Sequence, residues 1–219
     1  MFAEITKISL QKRKSGRVNV HLDGKFAFSL SEDVLLDYGL RVGDTLPDDQ
    51  LDQILKDDLQ AKILSKTLDF ISYQLRTERE VKDKLSALLF KNIPDENLRI
   101  RLEDEIFTRI ADLGLINDVE YAKSYVSGKE LSKNPPGSFK LKQFLLKKGV
   151  DTKIIDSALA NYDNSAELKG ADAVADKKLK TLKKGTKSEK KAKLWRFLAS
   201  KGYSSDVIRA VVDTKSYIE

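Results

Sequence analysis

The sequence predicts a mainly α-helical, elongated array of three three-helix repeats behind a small β-rich (α+β) N-terminal module. Three observations carry this expectation. First, the run Phe144–Leu159 returns 53 residues later as Phe197–Val212, matching Phe144 to Phe197, Leu145 to Leu198, Lys148 to Lys201 and Gly149 to Gly202. A self-match at a fixed period marks a copied unit. Copies too small to bury a full core stack on one another and present an extended surface, which suits a large partner better than a small substrate. Second, apolar residues fall at helical spacing almost without interruption after residue 59. Third, residues 3–30 alternate as strands do, and VNVHL and FAFSL flank Asp23-Gly24, a strong two-residue hairpin signal.

Taken in order, Ile5, Ile8 and Leu10 precede a basic turn, KRKSG, and then the hairpin. Ser31 is an N-cap for a short helix, EDVLLDYGL, which Gly39 ends. Leu46-Pro47 leads into a helix with Leu51, Ile54, Leu55 and Leu59 on one face, so residues 1–58 read as the small module. Residues 59–116 read as the first repeat. Its stripes are Leu64, Leu68, Ile71 and Leu75, then Val81, Leu85, Leu88 and Leu89, then Leu98, Leu102, Ile106, Ile110 and Leu113. Thr77 with Glu80 is a capping box.

Residues 117–163 form the second repeat, opened by an Asn117/Glu120 box and broken by Pro135-Pro136-Gly137 before Leu141, Phe144 and Leu145. Residues 164–219 form the third, with Ala171, Val174, Ala175, Leu179 and Leu182 facing inward and Gly185 as a break. The pattern predicts nine helices after residue 58 and matching helix pairs at 138–160 and 191–213. Gly149 and Gly202 should have positive φ, since each follows a lysine-ended helix and precedes a capping Asp151 or Ser204.

Composition narrows the function. With no cysteine there is no disulfide framework, thiolate nucleophile or cysteine-bound zinc, and a reducing cytoplasm is the expected compartment. The N-terminal residues lack the apolar core of a signal peptide, and no run reaches the length of a membrane span. The net charge of +6 is uneven: −1 over residues 1–56, −2 over 57–116, +2 over 117–163 and +7 over 164–219. A basic end suits a polyanion or an acidic protein surface, although a solvated lysine-rich face gives the same count.

Family resemblance enters at three motifs. Leu113-Gly114-Leu115-Ile116-Asn117-Asp118 followed by Tyr121-Ala122 resembles the LGL[IL]DD..[FY]A signature of the RecX family, modulators of the RecA recombinase. Leu75-Arg76-Thr77 with Glu80-Val81 and Leu85 is similar to that family's RS..EL…L, and Gly137, Leu141, Leu145 and Lys148-Gly149-Val150 to its G...I...L..KGI. The likeness spans roughly residues 59–213, with Asn117 for the usual aspartate and a longer linker, FKNIPDEN, in the first repeat. The first motif also has a purely architectural reading, in which Gly114 is a left-handed C-cap, Leu115 and Ile116 pack the crossover and Asn117 starts the next helix.

Lys148 and Lys201 are explained by the helix dipole, which favours a last-turn cation by about 0.3–1 kcal/mol. Lys140 and Lys193 recur at positions read as helix-interior, where the dipole says nothing. Lys190, Lys193 and Arg196 are spaced by three, Lys187 and Lys191 extend the patch, and Arg76 is the basic candidate in the first repeat. These seven are the candidate partner- or DNA-binding residues.

Trp195 matches Lys142 and reads as peripheral, Glu103-Asp104-Glu105 as a solvated face, and His21 alone is a poor metal or catalytic candidate. Gly39…Gly43 lacks the ending of a phosphate loop. No catalytic, metal or cofactor constellation is expected.

The resemblance implies a monomeric, non-enzymatic negative modulator of homologous recombination. It would bind the RecA filament, touching single-stranded DNA through it or directly, and reduce ATP hydrolysis and strand exchange. The alternative is a nucleic-acid-binding protein using tandem helix-turn-helix-like units without RecA.

Overall fold

The computed structural model describes residues 2–11, 16–182 and 185–215; of the basic turn KRKSG expected over residues 12–16, residues 12–15 lie outside them. The chain divides into two compact units, Met1–Gln74 with Val81–Leu115, and Leu75–Glu80 with Ile116–Glu219.

In the first unit, β1 (Phe2–Leu10), β2 (Arg17–Leu22), β3 (Lys25–Ser31) and β4 (Thr45–Pro47) form an antiparallel sheet in the order β3-β2-β1-β4. Asp23 and Gly24 turn the hairpin with φ of 49° and 80°, the double positive φ that a type I′ turn demands. Ile5, Val18, Val20, Leu30 and Leu46 are buried with Val34 and Ile54. Ser31 caps α1 (Glu32–Asp37), and Gly39 follows its end at φ 62°.

The division expected at residues 58 and 59 falls inside α2 (Asp48–Ser72), one helix of 25 residues. Neither glycine nor proline occurs within it to end it sooner. Asp58 is buried against the sheet: its carboxylate accepts from both Arg17 guanidinium NH groups (3.2 and 2.9 Å) and from the Ser31 amide (2.7 Å). α3 (Glu78–Asn92) and α4 (Glu96–Asp112) bury Val81, Leu85, Leu89, Ile106 and Ile110, while Leu113 is exposed rather than continuing the stripe.

Then come α5 (Asp118–Glu130), α6 (Ser138–Lys147), α7 (Thr152–Leu159), α8 (Asn164–Leu179), α9 (Lys187–Ser200) and α10 (Ser205–Lys215). With the part of α2 beyond residue 58, the described residues hold the nine helices expected there. α6–α7 and α9–α10 match in burial: Leu141 with Leu194, Leu145 with Leu198, Val150 with Tyr203 and Ile155 with Ile208 are all buried. Gly149 and Gly202 have φ of 84° and 82°, as the capping argument requires.

The capping boxes differ from expectation in one place. Thr77 and Glu80 exchange both bonds, but at Asn117 only the Glu120 amide donates to the asparagine. The Glu120 carboxylate instead accepts from the Ser124 hydroxyl one turn on. A full box forms at Thr186 and Glu189, where α9 begins.

Two glycines serve close approach rather than turning. A Cβ on Gly137 would lie 2.0 Å from the Gly202 carbonyl oxygen, and one on Gly170 would lie 1.9 Å from the Pro135 carbonyl oxygen. The Pro135–Gly137 segment is thus pressed against both α8 and the α9–α10 turn. The φ of Gly137, −65°, suits alanine, so conformational preference alone predicts no penalty for Gly137→Ala. We expect a loss of about 1–3 kcal/mol from overpacking. Gly128, exposed within α5 with open space around it, should gain about 0.5–1 kcal/mol from the same change. Urea unfolding of the two variants makes the comparison.

Candidate partner-binding face and its joints

Within the second unit, two joints share one device, an acid at a helix start that takes the first amide of an earlier helix. At the first, the Thr77 hydroxyl donates to the Lys148 carbonyl (2.8 Å) while accepting from the Glu80 amide, so both halves of its hydrogen-bonding capacity are used. The Glu78 amide donates to Asp118 Oδ1 (2.8 Å), and Lys148 Nζ pairs with Glu80 Oε1 (2.5 Å). At the second, the Phe139 amide donates to the Gly202 carbonyl (3.0 Å). Glu167 Oε1 accepts from the Ser138 amide (3.0 Å), the Ser138 hydroxyl (3.2 Å) and the Ser204 amide (3.1 Å).

In both joints an acid in the first turn of one helix takes the first amide of an earlier helix, where no intrahelical acceptor exists. Tyr162 and Tyr203 complete the second joint by donating to the carbonyls of Pro136 (2.7 Å) and Pro135 (3.0 Å). Burial, and then the Glu167 charge, push the Tyr203 hydroxyl up to about 12 and Tyr162 upward as well.

These joints explain the family-like motif. Gly114 is the left-handed cap (φ 67°) and Asn117 the N-cap, as expected, but Leu115 is exposed and does not pack the crossover. Asp118, which sequence reasoning passed over, is the joint acid, and burial raises its carboxyl above the ordinary value. Glu167 was missed too. Nothing local distinguishes either from a solvated first-turn acid.

The seven cationic candidates divide. Lys140 is exposed but is not in a helix interior: α6 starts at Ser138, because Pro135-Pro136-Gly137 holds the preceding chain away, so Lys140 lies in the first turn. Its equivalent Lys193 is the seventh residue of the longer α9 and is also exposed. The matching position in the first copy is Glu80, paired with Lys148, so the cation recurs twice and not three times.

At about 100° per residue, Lys190 and Lys191 flank the buried Leu194 whereas Lys193 and Arg196 point away from it. Lys190 and Lys191 are half-buried, and Lys191 Nζ lies 3.8 Å from Asp213 of α10. Lys187 is exposed at the start of α9, and exposed Arg196 donates from Nε to the Ala192 carbonyl. Arg76 is half-buried beside Glu80, whose carboxyl it helps to hold low. The structure therefore leaves Lys140, Lys187, Lys193 and Arg196 most accessible. Trp195 is half-buried against the α8–α10 core.

Among the described residues, no group of three or more His, Asp or Glu could hold a metal, and no helix is long and apolar enough to cross a membrane.

Burial opposes ionisation of Glu80, but hydrogen bonds from Lys148 and the Thr77 amide outweigh it and lower its carboxyl. Its contribution is therefore complete above the ordinary carboxyl range and is lost as pH falls through the folded value. Lys148 is raised, chiefly by its bond to Glu80, so its contribution is lost only as pH rises past the ordinary ammonium range. Parent and Glu80→Gln should differ by about 0.5–1 kcal/mol at neutral pH. That gap should close as pH drops below about 4, measured by urea melts across pH.

Two parts of the chain match family models: residues 3–47 the "Regulatory protein RecX N-terminal domain", and residues 166–212 "RecX, third three-helix domain". Proteins named "Regulatory protein RecX" are similar over nearly the whole chain. That of Leuconostoc mesenteroides is 36% identical over 210 residues, covering 96% of this chain and 75% of the relative. That of Clostridium botulinum is 34% identical over 215 residues, covering 96% and 95%. The crystal structure of a regulatory protein RecX aligns with TM-score 0.72 and 32% identity over 96% of this chain and 99% of that one. The crystal structure of RecX from Lactobacillus salivarius aligns with TM-score 0.61 and 31% identity, over 74% and 99%. With relatives 30% identical or more over nearly its whole length, family models matching its two ends and a fold in agreement, this chain belongs to the RecX family of regulatory proteins.

Proposed function

We propose that this chain binds the RecA filament on single-stranded DNA as a cytoplasmic monomer. There it lowers ATP hydrolysis and strand exchange and so damps the DNA-damage response. Family membership is the observation that carries this reading. The mechanism is steric and electrostatic, with no bond made or broken by this chain. Three three-helix units, at 59–116, 117–163 and 164–219, would engage successive filament subunits, so that after the first contact the others become intramolecular.

The contacting face is assigned to Lys140, Lys193 and Arg196, with Lys187 at the start of the helix that carries the last two. Lys140 supports this most strongly. A cation in the first helical turn opposes the macrodipole by about 0.3–1 kcal/mol, so stability does not account for an exposed lysine there.

RecA-dependent ATPase on single-stranded DNA, measured beside a direct DNA-binding titration, tests the reading. Inhibition should appear far below the concentration at which bare DNA is bound; tight binding to bare DNA without an effect on RecA would favour a RecA-independent DNA-binding protein. Lys140→Glu, Lys193→Glu and Arg196→Glu together should spare the fold and weaken inhibition. If the face meets phosphates, each lost contact should also remove about 0.7 from the single-strand salt slope. A folded triple variant that inhibits like the parent would refute the assignment.

A further inference from the structure

The second joint has an open groove at its side. The groove has a volume of about 480 Å³, within the range of small-ligand sites, and is lined by Leu159, Tyr162, Glu167, Leu168, Val207 and Ala210 with the polar Asn164 and Ser204 between them. Glu167 is only 2% exposed, and all three of its side-chain hydrogen bonds fall on Oε1. Oε2 accepts none among the described residues. It is not sealed either, since the one fully enclosed polar side-chain atom without a partner among those residues is His21 Nδ1. Oε2 therefore opens into the groove.

The charged residues lining the groove are Glu167 and Asp206, both acidic, within the most basic third of the chain. The two helix amides that offset the Glu167 charge act on the other oxygen, whereas Asp206 is exposed at the rim and lies 4.0 Å from the Arg209 guanidinium, so the buried acid is Glu167 alone. A groove with Leu159, Leu168 and Val207 among polar neighbours and a half-satisfied carboxylate at its base suits an aliphatic stem with a cationic head, as in arginine or lysine.

We propose that this groove is a socket for a single basic side chain, foremost arginine, presented by a protein partner. The stem would lie along Leu159, Leu168, Val207 and Ala210, and the guanidinium would donate to Glu167 Oε2. A protein is favoured over a free polyamine as the source. Residues 164–219 carry 14 basic and 7 acidic residues, a field that repels a free cation, whereas a protein can bring acids alongside its arginine to meet that surface. Only the identity of the partner rests on the RecA reading; the socket chemistry does not.

The test is an amide-resolved NMR titration of the full chain with n-butylguanidinium, with neutral n-butylurea as control. Saturable shifts confined to Leu168, Ser204 and Val207 are expected for the cation and not for the urea. Glu167→Gln retains an acceptor oxygen for the three joint donors while placing an NH2 group toward the groove, so it should keep the fold and weaken the cation at least tenfold. Ala210→Phe should cover the groove and block binding with the carboxylate intact. Equal response to the urea, or undiminished binding in folded Glu167→Gln, would overturn the socket. Should Glu167→Gln fail to fold, Ala210→Phe decides alone: unchanged cation binding refutes the proposal. The tripeptide acetyl-Glu-Arg-Glu-amide should bind more tightly than spermidine; the reverse order would refute a protein source. Because no titration contains RecA, a negative ATPase result leaves these outcomes unaffected, and failure here leaves the filament reading standing.

Discussion

The second half of this protein depends on how one buried carboxylate is satisfied. A lone ionised carboxylate removed from water is very costly, and Glu167 is tolerated because three donors converge on one of its oxygens. Two of those donors are amides at the starts of α6 and α10, which lack intrahelical acceptors and would otherwise stay unsatisfied. The carboxylate and the helix ends therefore solve each other's problem, and the solution works only if α6, α8 and α10 keep one relative placement. The backbone contacts around Gly137 and Gly170 enforce that placement sterically. Asp118 meets the Glu78 amide in the same sense, so a single device recurs with aspartate in one place and glutamate in the other.

That device sets what the cations are free to do. The residue just before the first buried position of the second helix is Glu80, Lys140 or Lys193 in the successive copies. Glu80 is used up in the joint, held by Lys148 and the Thr77 amide. Lys140 touches its joint through its backbone and Cβ, against Gly202, while the residue as a whole is exposed. Lys193 lies farther along a longer helix. One repeat position has thus been diverted to architecture once and left open twice, which is why the recurrence fails in the first copy.

Much of this was legible because it is local or periodic. The hairpin at Asp23-Gly24, the cap at Ser31, the left-handed glycines at 149 and 202 and the buried faces of the paired helices all follow from residues within a turn or two of each other. What the sequence hid depends on distant partners. Gly137 and Gly170 read as ordinary glycines until the Gly202 and Pro135 carbonyls are seen pressed against them. Asp118 and Glu167 look like dipole-friendly surface acids until the helix ends they satisfy are known. The continuity of α2 was missed for another reason: a stripe that changes its buried partners midway looks like two helices, although no residue breaks the chain.

The same joint bears on function through rigidity. Multivalent attachment gains most when the binding units are already held at the spacing the partner presents, since flexible units lose orientational freedom at each contact. The α6–α7 and α9–α10 pairs are tied by a buried carboxylate, the Tyr203 hydroxyl on the Pro135 carbonyl and close backbone contacts at Gly137 and Gly202. Lys140 and Lys193 are therefore displayed at a spacing fixed by packing. A partner with regular subunits would meet a preset ruler, whereas an irregular one would have to strain the joint to engage both.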